Sequence, residues 1–262
     1  MRRLRLCSVD FLNSSPLVWG LVHGPRQDAF DLTFHTPSAC AEMVRSGATD
    51  IGNLPVIECA RQGLTRVPGV GVACHGPVRS ILLVTKRPLD RIATLAADTS
   101  SRTSVALARI VLARRYGARP GFVPHAPDLD AMLEQHDAAL LIGDPALRVN
   151  PEELPYESLD LGGAWVEMTD LPMVFAMWAG PRDVVTSDVA AALQESCRYG
   201  RQRIDEVIAV DGVQRGFPED LARDYLTRHI VNELTERDEA GLQLYLRYAR
   251  EEGLAPERDE AA

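Results

Sequence analysis

The sequence predicts an α/β protein of two lobes with a helical C-terminal part, and three observations carry that reading. Short apolar runs alternate with segments of helical periodicity twice over, once before Pro88 and once after it. Several runs, such as Ile81-Leu82-Leu83-Val84, are almost wholly apolar, as strands covered on both faces are. From Ser187 onward the strand signals stop and long helical patterns remain.

The elements follow in order. Arg3 to Val9 reads as a first strand, and Ser14 to Val22 as a helix with Pro16 in its first turn, where a missing N–H costs nothing. Asp31 to His35 is a strand. Thr36-Pro37-Ser38 opens a helix through Val44 and Arg45 that stops at Gly47. A short strand from Asp50 to Asn53 runs into Pro55, and a helix covers Val56 to Gln62. Val67 to Cys74 and Ser80 to Thr85 are strands, the second leading out of the first lobe. After Pro88 the spacing predicts a strand at Ile92 to Ala97, a helix at Thr103 to Tyr116, and a strand at Gly121 to Pro124. A helix at Leu129 to Gln135 and a buried strand at Ala138 to Ile142 come next, and Val174 to Ala179 leads back. Helices at Val189 to Ala209, Pro218 to Ile230 and Glu236 to Arg250 complete the chain before a charged tail, Glu257 to Ala262, expected to fray. On this reading residues 1–86 and 178–262 form one lobe and residues 87–177 the other, with a ligand cleft between them.

With 262 residues, 46% hydrophobic and 25% charged, the composition is that of a soluble globular protein. A net charge of −9 argues against nucleic acid as a partner, though not against a small anion, because local charge in a cleft can oppose the global sign. No window approaches the ~20 apolar residues of a membrane span, so no membrane partner is expected. The stretch from Met1 to Val9 is too short, and too interrupted by Arg5, for a secretion signal, and the expected compartment is the cytoplasm. Cys7, Cys40, Cys59, Cys74 and Cys197 are scattered among apolar neighbours with no metal-ligand spacing, which predicts reduced, buried residues. None of the six histidines is spaced to share a metal with another; His75, beside Gly76-Pro77, suits a cleft better than the other five, and a surface or turn position suits it better still. GxGxxG, the phosphate-loop lysine motif, GxSxG and HExxH are missing.

Four segments stand out. Asp98-Thr99-Ser100-Ser101-Arg102-Thr103-Ser104 crowds hydroxyls and a guanidinium at a helix start, where free N–H groups and a partial positive charge make an anion site. The same residues also serve as ordinary helix caps, and local sequence leaves both readings open. Asn13 and Ser14 sit where a strand meets a helix, at the edge where α/β proteins gather ligands, and they too can cap. Ser80 stands at the entrance of a buried strand after Gly76-Pro77-Val78-Arg79, a segment that also suits a turn. Gly143 and Asp144 end the strand Leu140-Leu141-Ile142 and offer backbone N–H groups and a carboxylate, or a cap for the next turn. Trp165 and Trp178 lie near the second crossing, and Trp178 reads as core.

Taken in order, Asn13-Ser14, Pro16-Leu17, Asp50-Ile51-Gly52 with Pro55 and Glu58, Gly76-Pro77-Val78-x-Ser80, Ser101-Arg102-Thr103-Ser104, Ile142-Gly143-Asp144 and Leu171-Pro172-x-Val174-Phe175-Ala176 resemble the chorismate dehydratases of the futalosine route to menaquinone. The chain departs from them at Phe11, where tyrosine is usual, and at Asp170, where glycine is expected. The resemblance implies a two-lobed fold similar to type II periplasmic binding proteins and a cytoplasmic enzyme. Its substrate would be chorismate, converted to 3-[(1-carboxyvinyl)oxy]benzoate and water. It implies catalytic roles for Asn13 and Ser80, and substrate binding by Ser14, Ser101, Arg102, Thr103, Ser104, Gly143 and Asp144. The chemistry calls for no metal and no organic cofactor, and the sequence carries no evident site for either. A homodimer is left open. Two rivals are the sister enzyme that cleaves cyclic dehypoxanthine futalosine and a non-catalytic binder of small organic anions. The Ser-Arg-Thr-Ser and Ile-Gly-Asp segments favour the dehydratase.

Overall fold

The computed structural model describes residues 3–256, so the expectation for the tail from Glu257 to Ala262 lies outside the described residues. The first half runs β1 (Arg5–Val9), α1 (Ser15–Val22), β2 (Asp31–His35), α2 (Pro37–Arg45), β3 (Ile51–Pro55), α3 (Val56–Arg61) and β4 (Thr65–Cys74). The chain then crosses to β5 (Ile81–Thr85), β6 (Thr94–Asp98), α4 (Thr103–Tyr116), β7 (Gly121–His125), α5 (Leu129–Gln135), β8 (Ala138–Ile142), α6 (Gly143–Leu147), β9 (Glu157–Asp160) and α7 (Leu161–Thr169). It returns through β10 (Met173–Gly180) and ends in α8 (Ser187–Gln202), α9 (Ile204–Val207), α10 (Glu219–Asp224), β11 (Val231–Glu233) and α11 (Glu236–Glu251).

Two mixed sheets result. The first has the order β11-β4-β10-β3-β1-β2 and the second β7-β6-β8-β5-β9. In each, a βαβ core of three parallel strands is extended by antiparallel strands. Strand β5 pairs with β8 and β9, so it belongs to the second sheet, not to the lobe of residues 1–86 as the sequence suggested. The whole of β10 from Met173 belongs to the first sheet, ahead of the expected boundary at residue 178. The crossings are therefore the segments after β4 and after α7. They lie side by side, because Cys74 at the end of β4 pairs with Met173 at the start of β10.

The strand interiors are apolar on both faces because helices cover both. Trp178 and Trp165 are fully buried, as are all five cysteines. Burial pushes the thiols of Cys59 and Cys197 up to about 12, which keeps them protonated and inert. Helix α8 lies against α1 at a distance only glycine permits: a Cβ on Gly200 would sit 2.2 Å from the Pro16 carbonyl oxygen. The C-terminal helices thus join the first lobe, and α11 reaches α4 of the second. Two of these helices differ from the expected continuous runs. A π-helical turn at Ile208–Gly212 follows α9, and another at Tyr225–His229 follows α10. Asp170 closes α7 with φ of 57°, a left-handed conformation that glycine adopts freely and Asp tolerates, which accounts for the glycine expected there. No helix among the described residues is long and apolar enough to cross a membrane.

Candidate active site

A cleft that encloses about 510 Å³, open solvent at its mouth included, lies where the two sheets face each other. Asn13, Ser14, Ser80, Ser101, Arg102, Thr103, Ser104 and Gly143 all contribute to its wall, with Phe11, Phe175, Val78 and Ile81 supplying apolar surface. Residues far apart in sequence thus meet at one place, at the ends of β1 and β6 and at the crossing before β5.

The structure separates capping hydroxyls from non-capping ones at the cavity. Away from the cavity, capping residues cap: Asp128, Asp160 and Thr186 each accept from the backbone N–H three positions on. Among the helices whose starts reach the cavity, α2 is capped by Thr36, whereas α1 and α4 behave differently. Ser14 occupies the N-cap of α1 and Arg102 that of α4, and neither makes a side-chain cap bond. Ser101 Oγ is buried and has no hydrogen-bond partner among the described residues. A buried hydroxyl left unpaired costs ~1–3 kcal/mol, so a ligand that accepts from Ser101 has a stabilising role to fill. The first turn of α4 is itself held in place: Tyr245 donates to the Thr103 carbonyl at 3.0 Å and Thr103 Oγ1 accepts from Ile57 N–H at 3.5 Å.

Across the cavity the polar side chains form a chain of bonds with one sense. Asn53 Nδ2 donates to Ser14 Oγ (3.3 Å), and Ser14 Oγ donates to Asn13 Oδ1 (3.1 Å). Asn13 Nδ2 donates to Tyr225 Oη (3.0 Å), and Tyr225 Oη donates to Ser80 Oγ (2.6 Å). Asn232 Nδ2 fixes the Asn13 backbone by donating to its carbonyl at 3.2 Å. Tyr225 is 1% exposed, and burial holds its phenol well above the ordinary range, so it stays a neutral donor.

Ser80 owes its place to Asp160, whose carboxylate accepts from the N–H groups of Val78 (3.0 Å) and Arg79 (2.7 Å) while also capping α7. The Ser80 carbonyl takes the Gly143 N–H at 2.8 Å. Gly143 has φ of 61°, and a Cβ there would lie 2.4 Å from the Phe11 ring, so this wall admits only glycine without movement.

Two expected site residues act otherwise. Asp144 is absent from the cavity wall; its Oδ1 accepts from Leu12 N–H at 2.9 Å and its Oδ2 from Arg215 at 2.9 Å. Its carboxylate ties the second lobe to the first, where facing a dicarboxylate would have been repulsive. Arg102 does reach the cavity, but its Nη1 donates to the carbonyls of Thr99 and Ser101, at 3.0 and 2.8 Å. His75 pairs with Asp238 at 2.8 Å, away from the wall.

Sequence reasoning missed Tyr225, Asp160, Asn53 and Arg215. Asp160 carried a detectable signal, an Asp three residues before Gly163 at a helix start. Tyr225 carried none, since a tyrosine inside a helical pattern reads as core.

Known proteins bear on this arrangement. Residues 4–251 match the family model described as menaquinone biosynthesis. A chorismate dehydratase of Thermus thermophilus is 30% identical over 243 residues, covering 86% of this chain and 89% of that protein. The solved structure of protein AF1704 from Archaeoglobus fulgidus superposes with a TM-score of 0.75 at 17% identity, covering 96% of this chain and 98% of the other. The periplasmic aliphatic sulphonate binding protein SsuA from Escherichia coli gives 0.64 at 17% identity, over 98% and 89% of the two chains. At such identities the structures speak for the fold alone, which is that of a periplasmic binding protein. With its fold so placed and its sequence matched over nearly its whole length, the chain belongs to the menaquinone biosynthesis family.

Proposed function

We propose that the chain is a chorismate dehydratase, a hydro-lyase of the cytoplasm that converts chorismate to 3-[(1-carboxyvinyl)oxy]benzoate and water. The observation that carries this reading is the pair of uncapped helix starts facing one cavity, with hydroxyls and amides poised around it and no ionisable base in its wall. The similarity to the Thermus thermophilus chorismate dehydratase supports the same reading.

Chorismate carries a hydroxyl on one ring carbon and an enolpyruvyl ether on the next. The C–H bond of the ether-bearing carbon breaks and its electron pair enters the ring. The C–O bond of the neighbouring carbon breaks and its pair leaves with the hydroxyl. The proton lost from carbon ends on the departing hydroxide, giving water, and the ring becomes aromatic, which drives the reaction. The enzyme has to hold two carboxylates, stabilise the departing oxygen and orient the C–H bond.

The start of α4, with Ser101, Thr103 and Ser104, takes one carboxylate through N–H and O–H donors. Asn13 and Ser80 act from the facing side on the departing hydroxyl, with Ser14 behind them and the Gly143 wall closing the site. The wall residues include no Asp, Glu, His or Lys. The substrate's own enolpyruvyl carboxylate, close to the proton, is then the base, and the protein's contribution is orientation.

The test is to mix purified protein with chorismate and follow the ultraviolet spectrum as the ring aromatises. An unchanged spectrum with intact chorismate overturns the reading. Binding without turnover would point to an organic-anion binder, and turnover of cyclic dehypoxanthine futalosine instead would point to the sister activity.

A further inference from the structure

We propose that Tyr225 is a positioning residue for this dehydration, acting through Ser80: it fills the acceptor side of the Ser80 hydroxyl and so leaves that hydroxyl's proton for the ligand. The inference rests on the dehydratase reading and extends it to a residue outside both lobes' βα cores.

The bonds run in one sense. A phenol has one proton and Asn13 has an amide that can only donate from nitrogen. Asn13 Nδ2 donates to Tyr225 Oη at 3.0 Å, so the phenol oxygen is already an acceptor there. Its own proton goes to Ser80 Oγ, 2.6 Å away, a short bond in a fully buried setting. The Asn13 amide is oriented by its other contact, since its Oδ1 accepts from Ser14 Oγ at 3.1 Å. Ser80 therefore accepts from Tyr225, and its O–H has no protein acceptor among the described residues while the side chain faces the cavity. A donor aimed where negative charge develops on a leaving oxygen stabilises the transition state more than the ground state.

The fold makes a special provision for this contact. Tyr225 opens a π-helical turn, Tyr225–His229, in the helical C-terminal part. The extra residue of a π turn re-aims a side chain relative to a regular helix, and such turns concentrate at functional sites. The phenol is thereby carried over 145 positions of sequence onto Ser80. Burial keeps it protonated throughout the working range, so it serves as a fixed donor and takes no part as a base.

The test compares wild type, Tyr225→Phe, Ser80→Ala and the double variant with chorismate. Tyr225→Phe should lower kcat roughly tenfold or more while KM moves less than about threefold. The double variant should lose much less than the product of the two single losses, because the phenol acts chiefly through that serine and only its bond from Asn13 Nδ2 remains to be lost. Unaltered kcat in Tyr225→Phe overturns the proposal, and so does a double variant whose loss is the product of the two single losses. Should the phenylalanine variant not fold, Tyr225→Met, which also fills the space without a hydroxyl, takes its place. A wild-type protein inert to chorismate would sink the dehydratase reading by itself. The same four proteins would then be titrated with benzoate as a probe of the cavity. Equal, non-additive losses of affinity in the three variants support the Tyr225–Ser80 coupling, and unchanged affinity in Tyr225→Phe overturns it.

Discussion

Replacing Arg215 with Met probes what holds the two lobes around the cavity. Arg215 Nη2 donates to Asp10 Oδ1 at 2.7 Å and Nη1 to Asp144 Oδ2 at 2.9 Å, joining the loop after β1 to α6. The Asp10 side chain is 57% exposed, so that arm contributes ~0–1 kcal/mol. The Asp144 side chain is only 12% exposed, and losing its cation leaves a desolvated carboxylate with Leu12 N–H as its remaining donor. Breaking a fully buried pair costs ~3–5 kcal/mol; the retained N–H and the partial exposure of Arg215 reduce this to about 2–3 kcal/mol. Burial already raises the Asp144 pKa with the arginine present, and removing the arginine raises it further. The folded variant then binds a proton that the unfolded chain has released. Its stability falls as pH rises from the ordinary carboxylate range through the raised folded value, so its deficit against wild type is larger at about pH 7.5 than at about pH 5. Urea unfolding at the two pH values measures this, and adding Asp144→Asn should recover much of the loss at the higher pH. A deficit under ~0.5 kcal/mol, or one identical at both pH values, would refute the role given to this tie.

Ser80→Ala and Asn13→Ala should each lower turnover of chorismate by at least ~10²-fold, and near-normal steady-state rates in both would remove them from the chemistry. Thr103→Ala combined with Ser104→Ala should mainly raise KM, because the start of α4 holds the ground state and transition state alike; unchanged kinetics would reduce that segment to a helix start without a ligand. Gly143→Ala places a methyl 2.4 Å from the Phe11 ring at a backbone φ of 61°, and should cost ~1–3 kcal/mol in thermal unfolding as well as narrowing the cavity. A variant as stable and active as wild type would show that this wall yields easily.

The fold was legible where periodicity and turn chemistry agreed. Helix α4 and strand β8 run as their apolar spacing predicts, and α2 begins at Thr36-Pro37 because the cap and the proline both specify it. What escaped had physical reasons. Strand β9 is an exposed edge with no apolar alternation, Glu157-Ser158-Leu159-Asp160. Helix α7 has two glycines, poor helix formers, in its first turn, and packing requires the first of them, since a Cβ on Gly162 would lie 2.7 Å from Cys74 Sγ. The π turns insert a residue and shift the phase of the helical pattern, so no 3.6-residue period could show Tyr225 reaching Ser80. The candidate site was half legible for the same reason. Hydroxyl-rich strand-to-helix junctions announce themselves in sequence, whereas Tyr225 and Asp160 become informative only once the chain has crossed between lobes.

The electrostatics of the cavity lead to a last expectation. A net charge of −9 opposes the approach of a dicarboxylate over most of the surface. The wall answers with one formal charge, Arg102, part of whose guanidinium is occupied by loop carbonyls. The attraction must therefore come largely from fixed dipoles, at the uncapped starts of α1 and α4 and at oriented hydroxyls, which act strongly in a dehydrated cleft. Dipoles do not titrate. Tyr225 is held above the range, Asp144 lies off the wall, and the substrate carboxylate titrates well below neutrality. The pH profile of kcat should accordingly be flat from about pH 6 to about pH 9. A bell with a limb near neutrality would demand a titrating protein base, and with it a different account of how the proton leaves carbon.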